Sequence, residues 1–257
     1  MHLEPWQLIL LAALGILAGV LNVIAGGGSL LTLPAMIFMD IPETVANGTN
    51  RVAIFAQNVS AVTGFRKKGF SDFKLSLTLS FASIPGAVLG AHLGSLIRGP
   101  LFNTILAIVM VAVVIWMAIQ ERRKPKSETA KTNVSEPCSP TRLFWGHVGM
   151  IGVGFYGGFI QAGVGFLLMA VLSNVMRLDL VRVNMHKVFI VGTFTLVALI
   201  VFIIHGKIWW VPGLCLAVGN SLGGWIGSQL SVTKGETFIR KVLYIALIAM
   251  AIRLIFS

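Results

Sequence analysis

Residues 22–39 have the sequence NVIAGGGSLLTLPAMIFM, and residues 159–176 have the sequence FIQAGVGFLLMAVLSNVM. In both stretches a glycine cluster interrupts an apolar run, and a second apolar run of about 11 residues follows, Ser29–Met39 in the first and Phe166–Met176 in the second. As a helix with a rise of 1.5 Å per residue, such a run is roughly 17 Å long, about half a bilayer core. We therefore expect two broken helices, each continued by a half-helix that begins inside the membrane.

The composition places the whole chain in a bilayer. It has 257 residues, of which 56% are hydrophobic and only 11% are charged, and its mean hydropathy is +0.88. Soluble domains have roughly 25% charged residues. The sequence therefore predicts an all-α integral membrane protein. The two cysteines, Cys138 and Cys215, form neither a disulfide framework nor a metal-binding spacing, so we expect no metal site and no cofactor.

Eight further apolar runs are long enough to cross a membrane as full-length helices. They are Trp6–Ala25, Ala46–Phe65, Phe73–Ser95, Leu101–Gln120, Leu143–Ala162, Val183–His205, Ile208–Leu230 and Phe238–Phe256. A polar segment rich in Ser, Thr, Pro and charge separates the first four from the last four and predicts a solvent-exposed linker. The predicted organisation is a first transmembrane repeat at 1–120, a linker at 121–141 and a second transmembrane repeat at 142–257.

The two halves repeat one another. Matched leucines mean little in membrane sequences, but matched glycines and asparagines indicate a duplication. The matching positions, 137 residues apart, are Gly26 with Gly163, Gly28 with Gly165, and Asn47 with Asn184.

The distribution of Lys and Arg predicts the orientation of the repeats. If every run changes sides, including the half-helices, one face receives 16 of the 20 basic residues, the other receives 3, and Arg51 lies inside a helix. If each half-helix joins the preceding helix in one crossing, the split is about 12 to 7. The first arrangement fits the positive-inside rule better, and a re-entrant hairpin at each break would leave it unchanged. We therefore expect two inverted-topology repeats, each with four full-length transmembrane helices and one half-helix. The linker is then cytoplasmic and both termini are non-cytoplasmic.

The acidic residues exclude several functions by their positions. All nine fall in predicted loops or at helix ends. Since intramembrane carboxylates commonly bind cations or relay protons, a cation pump and an intramembrane aspartyl protease are disfavoured. Arg51 and Lys187, in contrast, lie in the second full-length helix of each half, where an unpaired cation attracts an anion. The alternative is that both side chains extend to the membrane surfaces.

Two further features accompany these cations. Helical spacing places Asn47, Asn50, Arg51, Gln57 and Asn58 on one helix face, and Asn184, Lys187 and Thr195 on one face of the matching helix. A half-helix that begins inside the membrane presents free N–H groups and a positive dipole end, which bind anions, and Ser29 is the expected N-cap of the first. The alternatives are interhelical hydrogen bonds for the asparagines and close packing for the glycines. The candidate substrate-binding residues are Asn22, Gly26, Gly27, Gly28, Ser29, Asn47, Asn50, Arg51, Gln161, Gly163, Gly165, Asn184 and Lys187.

The segments Gly15–Ser29, Leu33-Pro34 and Ala46–Arg51 resemble the sulfite exporter TauE/SafE family, as do Gly157–Gly165 and Gly223–Gly227. The resemblance extends over nearly the whole chain except the linker. It departs from the family at position 29, where many members have a further glycine, and around residues 184–187, which only loosely repeat the Asn-Gly-Thr-Asn motif of the first half. It implies transport of sulfur-containing anions such as sulfite, or of organosulfonates such as sulfoacetate, across the bacterial inner membrane.

We therefore expect a secondary transporter that exports a small anion by alternating access, with its site between the repeats, where Ser29 and Phe166 begin the half-helices. The expected partners are this anion and the lipid bilayer, with no nucleic acid. An importer or a passive channel for the same anion shares these features. A membrane-embedded enzyme or an assembly factor is less favoured, because the runs contain no nucleophile–base pair or metal cluster. The coupling ion and the formation of a homo-oligomer stay open.

Overall fold

The computed structural model describes residues 3–69, 72–97, 99–123 and 139–233, and every regular element in these ranges is helical. In chain order the helices are α1 (Pro5–Ile24), α2 (Ser29–Ile37), α3 (Glu43–Lys67), α4 (Phe73–Leu96), α5 (Pro100–Arg123), α6 (Pro140–Phe159), α7 (Val164–Ala170), α8 (Leu180–Ile204) and α9 (Trp210–Thr233). A π-helical segment, Val171–Val175, directly follows α7. The predicted run Phe238–Phe256 lies outside the described residues.

The predicted apolar runs inside the described ranges are all helical. Three helices are both long and apolar enough to cross a membrane by length and composition, namely Pro5–Ile24, Phe73–Leu96 and Val181–Ile204. Helix α3 has 25 residues, but its buried polar side chains lower its hydropathy. It is therefore a helix whose polar face is turned into protein, as the spacing of its asparagines predicts.

The acidic residues of the described part lie at helix ends or in a turn, which confirms that part of the prediction. Asp72 accepts a hydrogen bond from the backbone N–H of Leu75 at the start of α4, and Asp179 accepts two from the backbone at the start of α8. A carboxylate is favourable there because it satisfies free N–H groups and the helix dipole. Asp40 lies in the turn between α2 and α3, and the acidic residues at helix ends are Glu4, Glu43, Asp72, Glu121 and Asp179.

The helices pack in pairs that each join the first half of the chain to the second. Helix α1 lies along α9, α4 lies along α6, and α3 and α8 contact each other at the centre as well as these outer helices. Glycines bring the backbones together: a Cβ added to Gly90 would lie 2.0 Å from the carbonyl oxygen of Phe155, and one added to Gly223 would lie 2.9 Å from Gly19 Cα. The mid-helix glycines of α4 and α9 therefore allow close packing of helix backbones.

The outer surface of the bundle is apolar. Large exposed side chains, including Phe81, Leu89, Ile108 and Ile204, point away from the core. In water such a surface would be unfavourable, whereas in lipid it is the expected one. The polar side chains collect instead in the interior, between α3, α8 and the two helix breaks.

Candidate functional site

The first break lies between α1 and α2. The chain turns at Gly26, whose φ of +85° is accessible mainly to glycine, and α2 begins at Ser29. Gly28 folds back against α1, where an added Cβ would lie 2.1 Å from the carbonyl oxygen of Ala18. The prediction that Ser29 is the N-cap is wrong: Gly28 occupies that position with helical backbone torsions, and the α2 cap has no side-chain hydrogen bond. A side-chain cap normally needs extended torsions at the N-cap residue, which Gly28 does not have.

The second break lies between α6 and α7. Gln161 and Gly163 both have positive φ, +60° and +69°. A non-glycine residue in this region is strained, and hydrogen bonds from its surroundings hold the Gln161 side chain in place. Helix α7 begins at Val164, so the predicted start at Phe166 is two residues late. The left-handed turn at Gly163 allows the helix to begin immediately after it.

The two breaks touch through their backbones. A Cβ added to Gly165 would lie 2.3 Å from Gly26 Cα, and one added to Gly26 would lie 2.6 Å from the carbonyl carbon of Gly165. Only residues without side chains allow this approach. The glycine clusters predicted from the sequence as one site, although 137 residues apart, therefore meet in space.

Arg51 reaches from α3 to the C-terminal end of α6. Its side chain is 0% exposed. Its Nη1 donates to the carbonyl oxygen of Gly157 at 3.0 Å, and its Nη2 donates to that of Gly158 at 2.5 Å. The same guanidinium donates to the side-chain oxygens of Gln161 at 3.2 Å and Asn47 at 3.3 Å. Arg51 thus satisfies carbonyl groups that the broken helix leaves without intrahelical partners.

Lys187 makes the corresponding contact with α1. Its side chain is 2% exposed, and its Nζ donates to the carbonyl oxygen of Val23 and to Asn184 Oδ1, both at 2.8 Å. Val23 belongs to the last turn of α1, immediately before the first break. Each basic residue therefore lies at the negative end of the broken helix in the opposite half of the chain, where a cation is favourable. The alternative that both side chains extend to the membrane surfaces is wrong, because both are buried.

The remaining polar candidates form pairs around the breaks. Asn22 Nδ2, in the last turn of α1, donates to Gln57 Oε1 at 3.2 Å, and Thr32 Oγ1, in α2, donates to Asn50 Oδ1 at 2.7 Å. Gln161 Nε2 donates to Thr195 Oγ1 at 2.5 Å. All of these side chains except Asn22, which is 9% exposed, are no more than 1% exposed.

The structure thus joins Asn47 and Gln161 to Arg51, and Asn184 to Lys187. Asn22 and Asn50 pair instead with Gln57 and Thr32, and the glycines of the two breaks touch one another. Sequence reasoning did not find that the backbone carbonyls of the opposite half are partners of both cations. Helical spacing placed Gln57 on the same face of α3 as Asn50, but Gln57 was not among the predicted substrate-binding residues.

An apolar cavity of about 190 Å³ adjoins the second break. It is open on one side and lies between α5, α6 and the start of α7. The residues that line it are Val109, Ala112, Val113, Tyr156, Gly163, Phe166 and Leu167. Within the described ranges, His, Cys, Asp and Glu form no cluster of three that could hold a metal ion.

Apolar membrane-length helices with a polar interior at two helix breaks are typical of membrane transporters. The comparisons with known proteins agree. A sequence profile of the family described as "Sulfite exporter TauE/SafE" matches residues 11–254, and the chain belongs to this family.

Curated relatives have the same general description. A "Probable membrane transporter protein ORF9" of Sinorhizobium sp is 29% identical over 93% of this chain and 88% of its own length. The "Probable membrane transporter protein YfcA" of Escherichia coli (strain K12) is 28% identical over 99% of this chain and 91% of its own, and YunE of Bacillus subtilis (strain 168) is 23% identical over 97% of both. No solved structure matches the chain.

Proposed function

We propose that this protein is a secondary transporter that exports a small anion, an oxidised sulfur compound such as sulfite or an organosulfonate such as sulfoacetate, across the bacterial inner membrane. The observation that supports this most directly is Arg51. It is a fully buried cation whose hydrogen-bond partners are all neutral, namely backbone carbonyls and the side-chain oxygens of Asn47 and Gln161. Its ring contact, with Phe202 at 4.6 Å, is also with a neutral group.

A buried positive charge whose partners are all neutral favours the binding of an anion. Removing an ion from water costs several kcal/mol even after the protein relaxes, and the carbonyl groups that hold Arg51 have no net negative charge to balance its charge. An anion that enters the site supplies this balance, and the Coulomb attraction between opposite charges is strong where water is excluded. The selectivity for negative charge in this proposal therefore comes from the Arg51 site, and the identity of the anion comes from the family.

The helix pairs support two inverted repeats, 1–120 and 142–257. If the halves are exchanged, α1 corresponds to α6 and α4 corresponds to α9. The packing of α1 on α9 then becomes the packing of α6 on α4, and both pairs are observed. The central contact of α3 with α8 exchanges with itself. With the linker 121–141 cytoplasmic and both termini non-cytoplasmic, 15 of the 20 basic residues lie on the cytoplasmic side, because Lys187, which the sequence count assigned to that side, is buried.

Arg51 and Lys187 give this architecture a mechanism for alternating access. Each holds the end of a broken helix that belongs to the other half, so any rocking of one half against the other changes both contacts. An anion near Arg51 competes with the carbonyl groups for the guanidinium. Binding of the substrate thereby weakens one connection between the halves, which couples occupancy to movement.

The membrane potential favours export. An inside-negative potential is worth about 2.3 kcal/mol per charge per 100 mV, so a doubly charged anion leaves with about 4.6 kcal/mol of assistance. Import against this potential would need a coupled cation. Among the described residues, the acidic side chains that could bind such a cation lie at helix ends or in a turn rather than in the interior.

The experiment is efflux from proteoliposomes loaded with radiolabelled sulfite, sulfoacetate or taurine. Sulfoacetate and taurine share a two-carbon sulfonate, but sulfoacetate ends in a carboxylate and taurine in an ammonium group. We expect saturable efflux of sulfite and sulfoacetate that an inside-negative potential accelerates, and much slower efflux of taurine. Protein-free liposomes are the control.

Three results would contradict the proposal. Efflux no faster than from protein-free liposomes, for all three compounds, would exclude transport of this class. Flux without saturation or acceleration by substrate on the opposite side would identify a passive channel. Accumulation that depends on a Na⁺ or proton gradient would identify an importer.

A further inference from the structure

Three buried N–H donors on α3 have no hydrogen-bond partner within the described part of the chain. They are Asn50 Nδ2, Arg51 Nε and Gln57 Nε2. All three side chains are no more than 1% exposed. A buried donor without a partner is destabilising and uncommon in folded proteins, so three on one helix indicate a role beyond structure.

The two amides are oriented by bonds to their own oxygens. Asn50 Oδ1 accepts from Thr32, and Gln57 Oε1 accepts from Asn22. In both cases the amide oxygen accepts a hydrogen bond, and the NH₂ group has no acceptor among the described residues. A ligand that satisfies these groups must therefore offer acceptor oxygens, as sulfite and sulfonates do.

The positions of the two amides bracket the first break. Asn22 precedes the break and Thr32 follows it, so Gln57 lies beside the end of α1 and Asn50 lies beside α2. Seven residues separate Asn50 from Gln57, which places them on the same face of α3 and about 10 Å apart. One small oxyanion cannot contact both amides at once.

We propose that Gln57 and Asn50 are two successive ligands for the transported oxyanion, one on each side of the first break. This inference rests on the proposed function, because it assigns the steps of the same anion path. Gln57 provides a donor on the α1 side, and Asn50 provides a donor on the α2 side. Gly26–Gly28 lies between them and packs against Gly165 and Ala18, so movement of the two halves must open the passage from one amide to the other.

Gln57→Glu and Asn50→Asp test the proposal with little change of shape. Each substitution keeps the oxygen that accepts from Asn22 or Thr32 and replaces the free donor with a carboxylate oxygen. Loss of one hydrogen bond to a charged ligand, at about 1.5–3 kcal/mol, corresponds to a decrease of about 10- to 100-fold in the kcat/KM of sulfite efflux. We expect at least this decrease for each variant.

Asn58→Asp is the matched control. Asn58 is a buried amide next to Gln57, but its Nδ2 already donates to the carbonyl oxygen of Ile54 at 2.7 Å. We expect sulfite efflux by this variant to stay within about threefold of wild type, because the substitution removes no contact with the anion. An equal decrease in Asn58→Asp and Gln57→Glu would overturn the inference, because any new carboxylate at that depth would then be sufficient.

NMR of the wild-type protein tests whether Gln57 contacts the anion even if a variant does not fold. The chain has five glutamines, so ¹⁵N-glutamine labelling gives five side-chain NH₂ signals. Titration with sodium sulfite should shift the Gln57 signal, whereas sodium gluconate at equal ionic strength should not. A Gln57 signal unmoved by sulfite, in protein that transports sulfite, would overturn this inference and leave the proposed function intact. Wild-type protein that moves no sulfite would instead contradict the proposed function.

Discussion

Arg51→Gln separates two roles of this residue, attraction of an anion and closure of the end of α6. The substitution removes the donors to the carbonyl oxygens of Gly157 and Gly158, which lie 3.0 and 2.5 Å from the guanidinium nitrogens. Two charge-assisted hydrogen bonds at about 1.5–3 kcal/mol each give an expected loss of about 3–6 kcal/mol in the free energy of unfolding. The shorter glutamine cannot replace both.

If Arg51 served only to attract an anion, Arg51→Gln would change the free energy of unfolding in the opposite direction. Removal of a buried charge relieves its desolvation penalty, so the substrate-free protein would become more stable or stay unchanged. The assay is equilibrium unfolding by SDS in mixed micelles, without sulfite or sulfonate. Stability of Arg51→Gln equal to or greater than that of wild type would refute the helix-closing role derived from the structure.

Arg66→Gln is the control, because it removes the same charge from the same helix. Arg66 is exposed at the end of α3, and its guanidinium lies 5.3 Å from the centre of the Phe73 ring. An exposed contact of this kind is worth about 0.5–1 kcal/mol. We expect Arg66→Gln to lose no more than this, and a loss comparable to that of Arg51→Gln would attribute the effect to net charge.

Two further predictions concern the other contacts between the halves. Lys187→Met should lower the free energy of unfolding by about 1.5–3 kcal/mol, because it loses the hydrogen bonds of Lys187 at the end of α1. Lys68→Met, at an exposed position, should change it by less than about 0.5 kcal/mol. Equal effects of the two substitutions in SDS unfolding would contradict the role of Lys187 at the end of α1. Gly165→Ala should destabilise by about 1–3 kcal/mol, because its Cβ would lie 2.3 Å from the opposite break. Gly152→Ala, with nothing within 4 Å, should instead gain about 0.5–1 kcal/mol, and a gain in both variants would refute the close contact.

Periodicity predicted most of the helices, because apolar length and polar spacing are properties of a single segment. The buried face of α3 is an example: Asn47, Asn50 and Arg51 recur at helical spacing, and all three are buried. The details of the breaks were less predictable. Whether Gly28 or Ser29 occupies the N-cap depends on backbone torsions that are fixed by contact with α1, and this contact is not visible in local sequence.

The partners of the two cations show why the site itself could only be predicted in part. Arg51 and the carbonyl groups it binds are more than 100 residues apart, and every residue has a carbonyl group, so no residue type marks the partner. The proposed inverted repeats supply a constraint that local sequence lacks. If the halves are inverted repeats, a cation in one half that binds the broken helix of the other predicts a second cation that does the reverse, and Lys187 binds the end of α1 in this way. Lys187 lies one position before the residue that the 137-residue offset pairs with Arg51, so the two contacts correspond in kind and not residue by residue. Since a transporter with inverted repeats opens to the two sides by related movements, we expect Arg51 and Lys187 to act in turn, each releasing its helix in one of the two open states.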